Sequence, residues 1–367
     1  MEEQNEQALA PKSDDQYTEN RIIVIGASAG GFNAIQKLIS ALPPGFPASI
    51  FIVWHMSPEI RGVLPLVLNK LNTVPASQAY DGEPILPNHI YVAAPDRHMI
   101  LEKGRIRITK GPRENRFRPA VDPLFRSAAM EYGDRVIGVV LTGALDDGTS
   151  GLWTIQNKGG ICIVQDPLEA EVPSMPKSAM KEVDVDYCQP LLSIADTLVQ
   201  LSNDHLSDHK SSQGMQEEER TKLEVAIAAK TNALKAGILD YGRFSAFSCP
   251  DCHGVLSEYK EGDRARYRCH TGHAFSANGL LSALTENIEK DLYNAIRAME
   301  ESIVLLNMEG DNFAEKNNPH LAAVYFQKAT EAEERLQLVR QAAFQNEQLS
   351  IGIVQNGLDP SGESPKS

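Results

Sequence analysis

A chain of 367 residues, 42% apolar and 23% charged, is too hydrophobic for a disordered polymer and long enough for about two or three domains. Its longest apolar runs are strand length, far short of the roughly 18–20 residues that cross a bilayer. Glu2, Glu3 and Glu6 stand where a secretory signal would be basic, so a cytoplasmic chain with no membrane insertion is expected. The net charge of −14 argues against a general nucleic-acid binder, and the acid gathers at the ends, about −5 over 1–20 and about −7 over 282–367.

After an acidic, disordered N-terminus (1–20), β-branched runs at 21–25, 49–53, 89–93, 136–141 and 161–165 predict strands. Amphipathic stretches at 31–42, 58–71, 122–132 and 149–158 predict helices between them. This alternation is the pattern of an α/β fold, a doubly wound, mostly parallel sheet covered on both faces. Residues 99–109 break the rhythm and read as an antiparallel hairpin added to that sheet, turning at Lys103-Gly104. A polar linker at 203–219 ends this domain (21–202), and a helix with its connector follows over 220–244. Residues 245–275 form a small separate zinc-ribbon-like module. Helical periodicity over 277–306 and 319–349, broken at Gly310-Asp311 and Asn317-Asn318-Pro319, predicts a C-terminal helical hairpin (276–350) before a disordered tail (351–367). The hairpin's apolar faces are expected to pack on each other, with helical self-association as the alternative.

Gly26-Ala27-Ser28-Ala29-Gly30 lies between a buried strand and a helix and matches G-x-S-x-G, in which glycines permit a sharp turn and leave a serine hydroxyl at the head of a helix. A dinucleotide fingerprint would need glycine where Ser28 stands and an acid after the second strand, where Trp54-His55 sit. A serine that merely caps the helix is the plainer reading. In a parallel sheet, however, strand carboxyl ends share one edge. That edge would bring Ser28, His55 and either Asp146 or Asp147 together: a hydroxyl, an imidazole to take its proton, and a carboxylate to hold the imidazole. His55 could equally just end a strand, and either aspartate could cap the helix starting near Thr149. The amides after Ser28, beginning with those of Ala29 and Gly30, are placed to hold an oxyanion.

Five cysteines, an odd number, with two in Cys249-Pro250-Asp251-Cys252, suggest metal chemistry in a reducing compartment. Cys249, Cys252, Cys269 and His273 are the expected ligands of a structural zinc, with His270 and His253 in reserve. Cys162 and Cys188 are expected to be packing residues. Arg105, Arg107, Lys110, Arg113, Arg116 and Arg118 crowd together with Glu114 alone opposing them, a docking surface for an acidic partner or else a solvated basic loop.

The segments Gly26-Ala27-Ser28-Ala29-Gly30-Gly31, Trp54-His55-Met56, Ala94-Pro95-Asp96-Arg97-His98-Met99, Asn115-Arg116-Phe117-Arg118-Pro119-Ala120-Val121-Asp122 and Leu141-Thr142-Gly143-Ala144-Leu145-Asp146-Asp147-Gly148 occur in this order. They resemble the catalytic domain of the chemotaxis protein-glutamate methylesterases, the CheB family. Pro173-Ser174-Met175-Pro176 resembles that family's late active-site loop and places Met175 at the pocket. The resemblance implies Ser28 as nucleophile, His55 as general base and Asp147 as the orienting carboxylate, with no catalytic cofactor. It also implies a substrate: γ-glutamyl methyl esters on methylated chemoreceptor-like helices, with glutamine deamidation as a related activity. Arg113, Arg116 and Arg118 would suit such acidic helices. The chain departs from the family in having only some twenty residues before the first strand, where chemotaxis members carry a receiver domain. It also departs in Ala144-Leu145-Asp146 before the catalytic aspartate and in the entire C-terminal half. A signalling scaffold that keeps the hydrolase fold and acts by protein interaction is the competing expectation.

Overall fold

The computed structural model describes residues 20–55, 62–203, 215–229, 233–238 and 242–346. The expected N-terminal and C-terminal disordered segments, most of the 203–219 linker and the start of the expected 58–71 helix lie outside these residues. The chain divides into two compact units between Ser276 and Ala277.

The first unit is built on seven parallel strands: β1 (Ile22–Ala27), β2 (Ser49–Trp54), β3 (Ala76–Gln78), β4 (His89–Val92), β7 (Val136–Val140), β8 (Ile161–Gln165) and β9 (Tyr187–Gln189). Their order is β3-β4-β2-β1-β7-β8-β9. The β-branched runs are continuous because both faces are covered. Ile23, Ile25 and Ala27 of β1 pack on one side with α1 (Gly31–Ser40), α2 (Val63–Asn69) and α6 (Leu191–Asn203). Ile22 and Val24 face the other core with α3 (Val121–Tyr132), α4 (Thr149–Asn157) and α5 (Ser174–Glu182). The chain leaves β1 in one direction through β2 and β4 and later returns to its other side at β7. The β2, β1 and β7 ends therefore adjoin where the topology reverses, the usual place for a site in such sheets.

The predicted hairpin forms as β5 (His98–Glu102) and β6 (Arg105–Thr109), but it is a two-stranded sheet of its own, not an extension of the parallel one. Both turn residues, Lys103 (φ 50°) and Gly104 (φ 74°), are left-handed, as a two-residue hairpin turn requires. Met99, Leu101 and Ile106 then pack in the same core as Leu124 and Phe125 of α3.

Also in the first unit are α7 (Met215–Ala228) and a four-stranded antiparallel sheet, β10 (Arg243–Ser248), β11 (Val255–Glu261), β12 (Arg264–Cys269) and β13 (Ala274–Ser276). This sheet does not stand apart from the parallel domain. Asn115 N–H donates to Ala274 O at 2.8 Å, Ala274 N–H donates to Arg113 O at 3.2 Å, and Arg268 pairs with buried Glu114 at 3.2 Å. Arg126 of α3 meets Glu114 and, at 3.4 Å, Glu224 of α7. Trp153 of α4 lies beneath the guanidinium groups of Arg220 and Arg264.

The second unit contains α8 (Ala277–Glu315) and α9 (Pro319–Phe344), which pack through Ile296, Leu336 and Ala343. Asn318 caps α9 by accepting from Leu321 N–H at 3.3 Å, with Pro319 in the first turn. The helix break expected at Gly310 does not occur. Gly310 lies inside α8 against the Phe326 ring, where a side chain would collide at 2.6 Å, so this glycine serves close packing instead of a turn. No described helix is long and apolar enough to cross a membrane.

Candidate active site

Ser28 follows β1 and is pinned to three neighbouring segments through its backbone. Its N–H donates to Thr142 O at 3.0 Å, and its carbonyl accepts from Gly31 N–H at 2.9 Å and from the Trp54 indole at 3.0 Å. Gly30, at φ 75°, makes the turn into α1. A side chain there would be both strained and in collision with Glu171 at 2.8 Å. The N–H groups of Ala29 and Gly30 have no hydrogen-bond acceptor among the described residues, and they stand at the positive end of α1. Ser28, Ala29 and Gly30 line a cleft of about 650 Å³ together with Trp54, His55, Phe117 and Glu171.

His55 follows β2, its N–H donating to Ala27 O at 3.0 Å. Its ring stacks on Phe117, 3.7 Å between centroids and 11° between planes. Nε2 lies 2.8 Å from Oδ2 of Asp147. An ionised carboxylate only accepts, so the Nε2 proton belongs to this bond. Nδ1 is buried and has no partner among the described residues. The imidazole is thus held on one edge and one face, with a single lone pair left to use.

Asp147 follows β7 and does not cap the helix after it. The N-cap of α4 is Gly148, and the Asp147 carboxylate turns instead to the start of α3, accepting from Val121 N–H at 2.6 Å and Asp122 N–H at 3.4 Å. Asp122 returns the favour to α4, accepting from Gly148 N–H at 3.0 Å and Gly151 N–H at 2.8 Å. Each carboxylate therefore sits at the positive end of the other's helix. Asn115 Nδ2 donates to both, at 2.9 Å each. Burial alone would raise the Asp147 carboxyl, but His55, Val121 N–H and Asn115 outweigh it and hold Asp147 below the usual carboxylate range. Asp122 goes the other way. Burial and the neighbouring Asp147 charge push it up to about 7, against the pull of Arg266 and Arg126. Asn115 (φ 49°), Arg116 (φ 76°) and Leu145 (φ 64°) are left-handed on the two loops that form this arrangement, the kind of backbone strain that collects at functional sites.

Of the other expected pocket residues, Met175 is fully buried in α5 against Gly143 and is not among the residues that line the cleft. Asp146 accepts from Ser276 Oγ at 2.9 Å. Phe117, Glu171, Asn115 and Asp122 carry no signal of their own in the sequence; Asn115, Phe117 and Asp122 fall within one segment of the resemblance.

The basic cluster is more opposed than its sequence suggests. Arg118 donates twice to Asp96, at 2.8 and 2.7 Å, and to Gly111 O at 2.7 Å. Lys110 meets Asp96 at 3.4 Å, and Arg107 meets Asp81 at 3.2 Å and Glu102 at 3.4 Å. Arg116 is half-buried with Asp251 nearby, and Arg113 is exposed. Arg118 is thus committed internally, and Glu114, the expected opponent, is buried between Arg126 and Arg268.

Cys249, Cys252, Cys269 and His273 converge with their ligand atoms all within 4.8 Å of one another. Two tight turns present them: His253 N–H donates to Cys249 O at 2.8 Å and Gly272 N–H to Cys269 O at 2.9 Å. His253 and His270 are outside the group. Cys162 is buried as expected, whereas Cys188 is exposed, its sulfur 3.6 Å from that of Met180.

The CheB methylesterase family profile matches residues 23–198. A Leptospira interrogans protein named for protein-glutamate methylesterase and protein-glutamine glutaminase is 40% identical over 185 residues, 50% of this chain and 96% of its own length. The Rhizobium johnstonii protein-glutamate methylesterase/protein-glutamine glutaminase 2 is 36% identical over 182 residues, 48% of this chain and 50% of its own. A Yersinia pestis relative of the same type is 40% identical over 167 residues, 44% of this chain and 48% of its own. The crystal structure of the Thermotoga maritima CheB methylesterase catalytic domain shares 35% identity, with a TM-score of 0.48 over 50% of this chain and 98% of that one.

Proposed function

The chain belongs to the CheB methylesterase family, a family of carboxylic ester hydrolases, and from that premise we propose that it hydrolyses glutamate 5-O-methyl esters on a chemoreceptor-like signalling protein, using Ser28, His55 and Asp147. In this reading Ser28 Oγ attacks the ester carbonyl while His55 Nδ1 takes its proton. The oxyanion falls toward the N–H groups of Ala29 and Gly30. The imidazolium, steadied by Asp147, returns the proton to the departing methoxy group, releasing methanol. Water then attacks the acyl-enzyme by the same route and frees the glutamate side chain and Ser28. The roles of the two ring nitrogens follow from Asp147: because Nε2 is engaged by the carboxylate, Nδ1 is left as the base. A glutamine side chain presents the same carbonyl with ammonia as leaving group, which accommodates the deamidase activity in the relatives' names.

The observation that carries this reading is the Asp147–His55 bond at 2.8 Å, which leaves a buried, unpartnered Nδ1 on a histidine that lines the same cleft as Ser28. A serine-directed fluorophosphonate tests it. Wild-type protein should be labelled at Ser28 and Ser28→Ala should not be; label persisting in Ser28→Ala refutes the nucleophile. Protein that never labels, where a relative does, supports the scaffold alternative.

For the Cys-rich module we propose a structural zinc held by Cys249, Cys252, Cys269 and His273. Tetrahedral zinc–thiolate geometry sets neighbouring sulfurs about 3.8 Å apart. The Cys252–Cys269 sulfur separation is 3.7 Å, and Nδ1 of His273 lies 3.6 Å from the sulfurs of both Cys249 and Cys269. Zinc here would staple a small sheet with little core of its own. The proposed setting is the cytoplasm, with Arg113 the most accessible of the three docking arginines.

A further inference from the structure

Asn115 can donate to Asp122 and Asp147 together only if its amide nitrogen faces them; turned over, it would set three oxygens against one another. The orientation is decided on the other side of the amide. There Oδ1 accepts from Ser276 N–H at 3.1 Å and from Arg266 Nη1 at 3.4 Å, while Nη2 of Arg266 lies 3.4 Å from Asp122 Oδ2. Arg266 and Ser276 are paired residues on β12 and β13, so the two donors arrive as one unit from the sheet that carries the Cys and His cluster. Arg266 is 3% exposed, and the 113–115 loop is stitched along β13 by backbone bonds.

We propose that Arg266 is a positioning residue for the triad. With the Ser276 amide it fixes Asn115 so that a donor always faces Asp147, and it offsets the second buried carboxylate, Asp122, behind the site. The Cys-rich sheet is then a working part of the esterase and not an appendage to it. This rests on the assignment of Ser28, His55 and Asp147 given above. The charged and titratable groups around the cluster include Asp147, Asp122, Asp146, Arg126 and Arg266, with His55 and His98 beyond Asp147, Arg264 beside Asp146, and Glu261, Glu224 and Tyr259 beyond Arg266.

The test is the rate of Ser28 labelling by a fluorophosphonate from about pH 5 to about pH 9, on full-length protein of verified fold and zinc content. Arg266→Gln is expected to lower the plateau about 10–100-fold, the usual range for a residue supporting a reactive group. Arg266→Lys should recover most of the rate. Adding Arg266→Gln to Asn115→Ala should cost much less than Arg266→Gln costs alone, because the two act through one contact. Folded Arg266→Gln labelling at the wild-type rate overturns the inference, as do losses that simply multiply. If Arg266→Gln is insoluble, Asn115→Ala carries the test, and wild-type labelling of that variant overturns it. Wild-type protein that fails to label at Ser28 overturns the triad and this inference with it, whereas labelled wild type with indifferent variants overturns the inference alone.

Discussion

Ser28 and Asp147 stand after neighbouring strands of one sheet but are held by different kinds of structure. Ser28 is placed by backbone: strand pairing on both sides of β1, a left-handed glycine, and bonds to Thr142, Gly31 and the Trp54 indole. Asp147 is placed by side chains and amides from residues 115, 121 and 122, braced in turn from 266 and 276. The setting of Ser28 therefore rests mostly on main-chain bonds. The carboxylate's setting is assembled from distant segments and exposed to damage in any of them.

The largest expected effect falls on the carboxylate side. Asp147→Asn replaces an acceptor with a group that can present N–H to Nε2, and should slow Ser28 labelling about 10⁴-fold without unfolding the protein. A loss under about tenfold would show that Asp147 does not direct the imidazole. Next, Cys249→Ser with Cys252→Ser should remove about one equivalent of zinc and lower the thermal midpoint by several degrees. Zinc retained in full by this double variant would refute the ligand set. On the serine side, Gly143→Ala would drive a methyl group into Met175 and to within 2.7 Å of Ser28 Cβ. It should destabilise by about 1–3 kcal/mol and slow labelling; neutrality in denaturant titration would mean that the Met175 side chain yields easily.

The last effect is a slope. The folded Asp122 carboxyl is raised from 3.8 to about 7, so between those values the native state binds a proton that the unfolded chain has released. Its contribution is present below about pH 4 and declines as pH rises, at up to about 1.4 kcal/mol per unit, until about pH 7. Asp122→Asn should flatten that part of the profile. Asp147 has the opposite sign: its contribution is lost only as pH falls toward its lowered value. An unchanged slope in Asp122→Asn would contradict the burial argument.

Legibility in the sequence follows the same division. β1, β2 and β7 are doubly covered, so their apolar runs are unbroken, and the Ser28 turn is readable from adjacent residues. β3 and β9, at three residues each, are too short to show a period. The Cys pairs are legible because ligand spacing is short-range, and all four expected ligands converge. Arg118 shows what spacing cannot reveal: its partner, Asp96, is 22 residues away. Asn115 and Arg266, 151 residues apart, meet only through the packing of two sheets in one unit, and no local pattern encodes that pairing.

The account turns on which imidazole nitrogen is bare. A long-range proton–nitrogen NMR spectrum of protein with isotope-labelled histidine, assigned with His55→Gln, reads this directly. Neutral His55 carrying its proton on Nε2, with Nδ1 unprotonated, is the predicted result; a proton on Nδ1 would contradict both the Asp147 bond and the base assigned to Ser28.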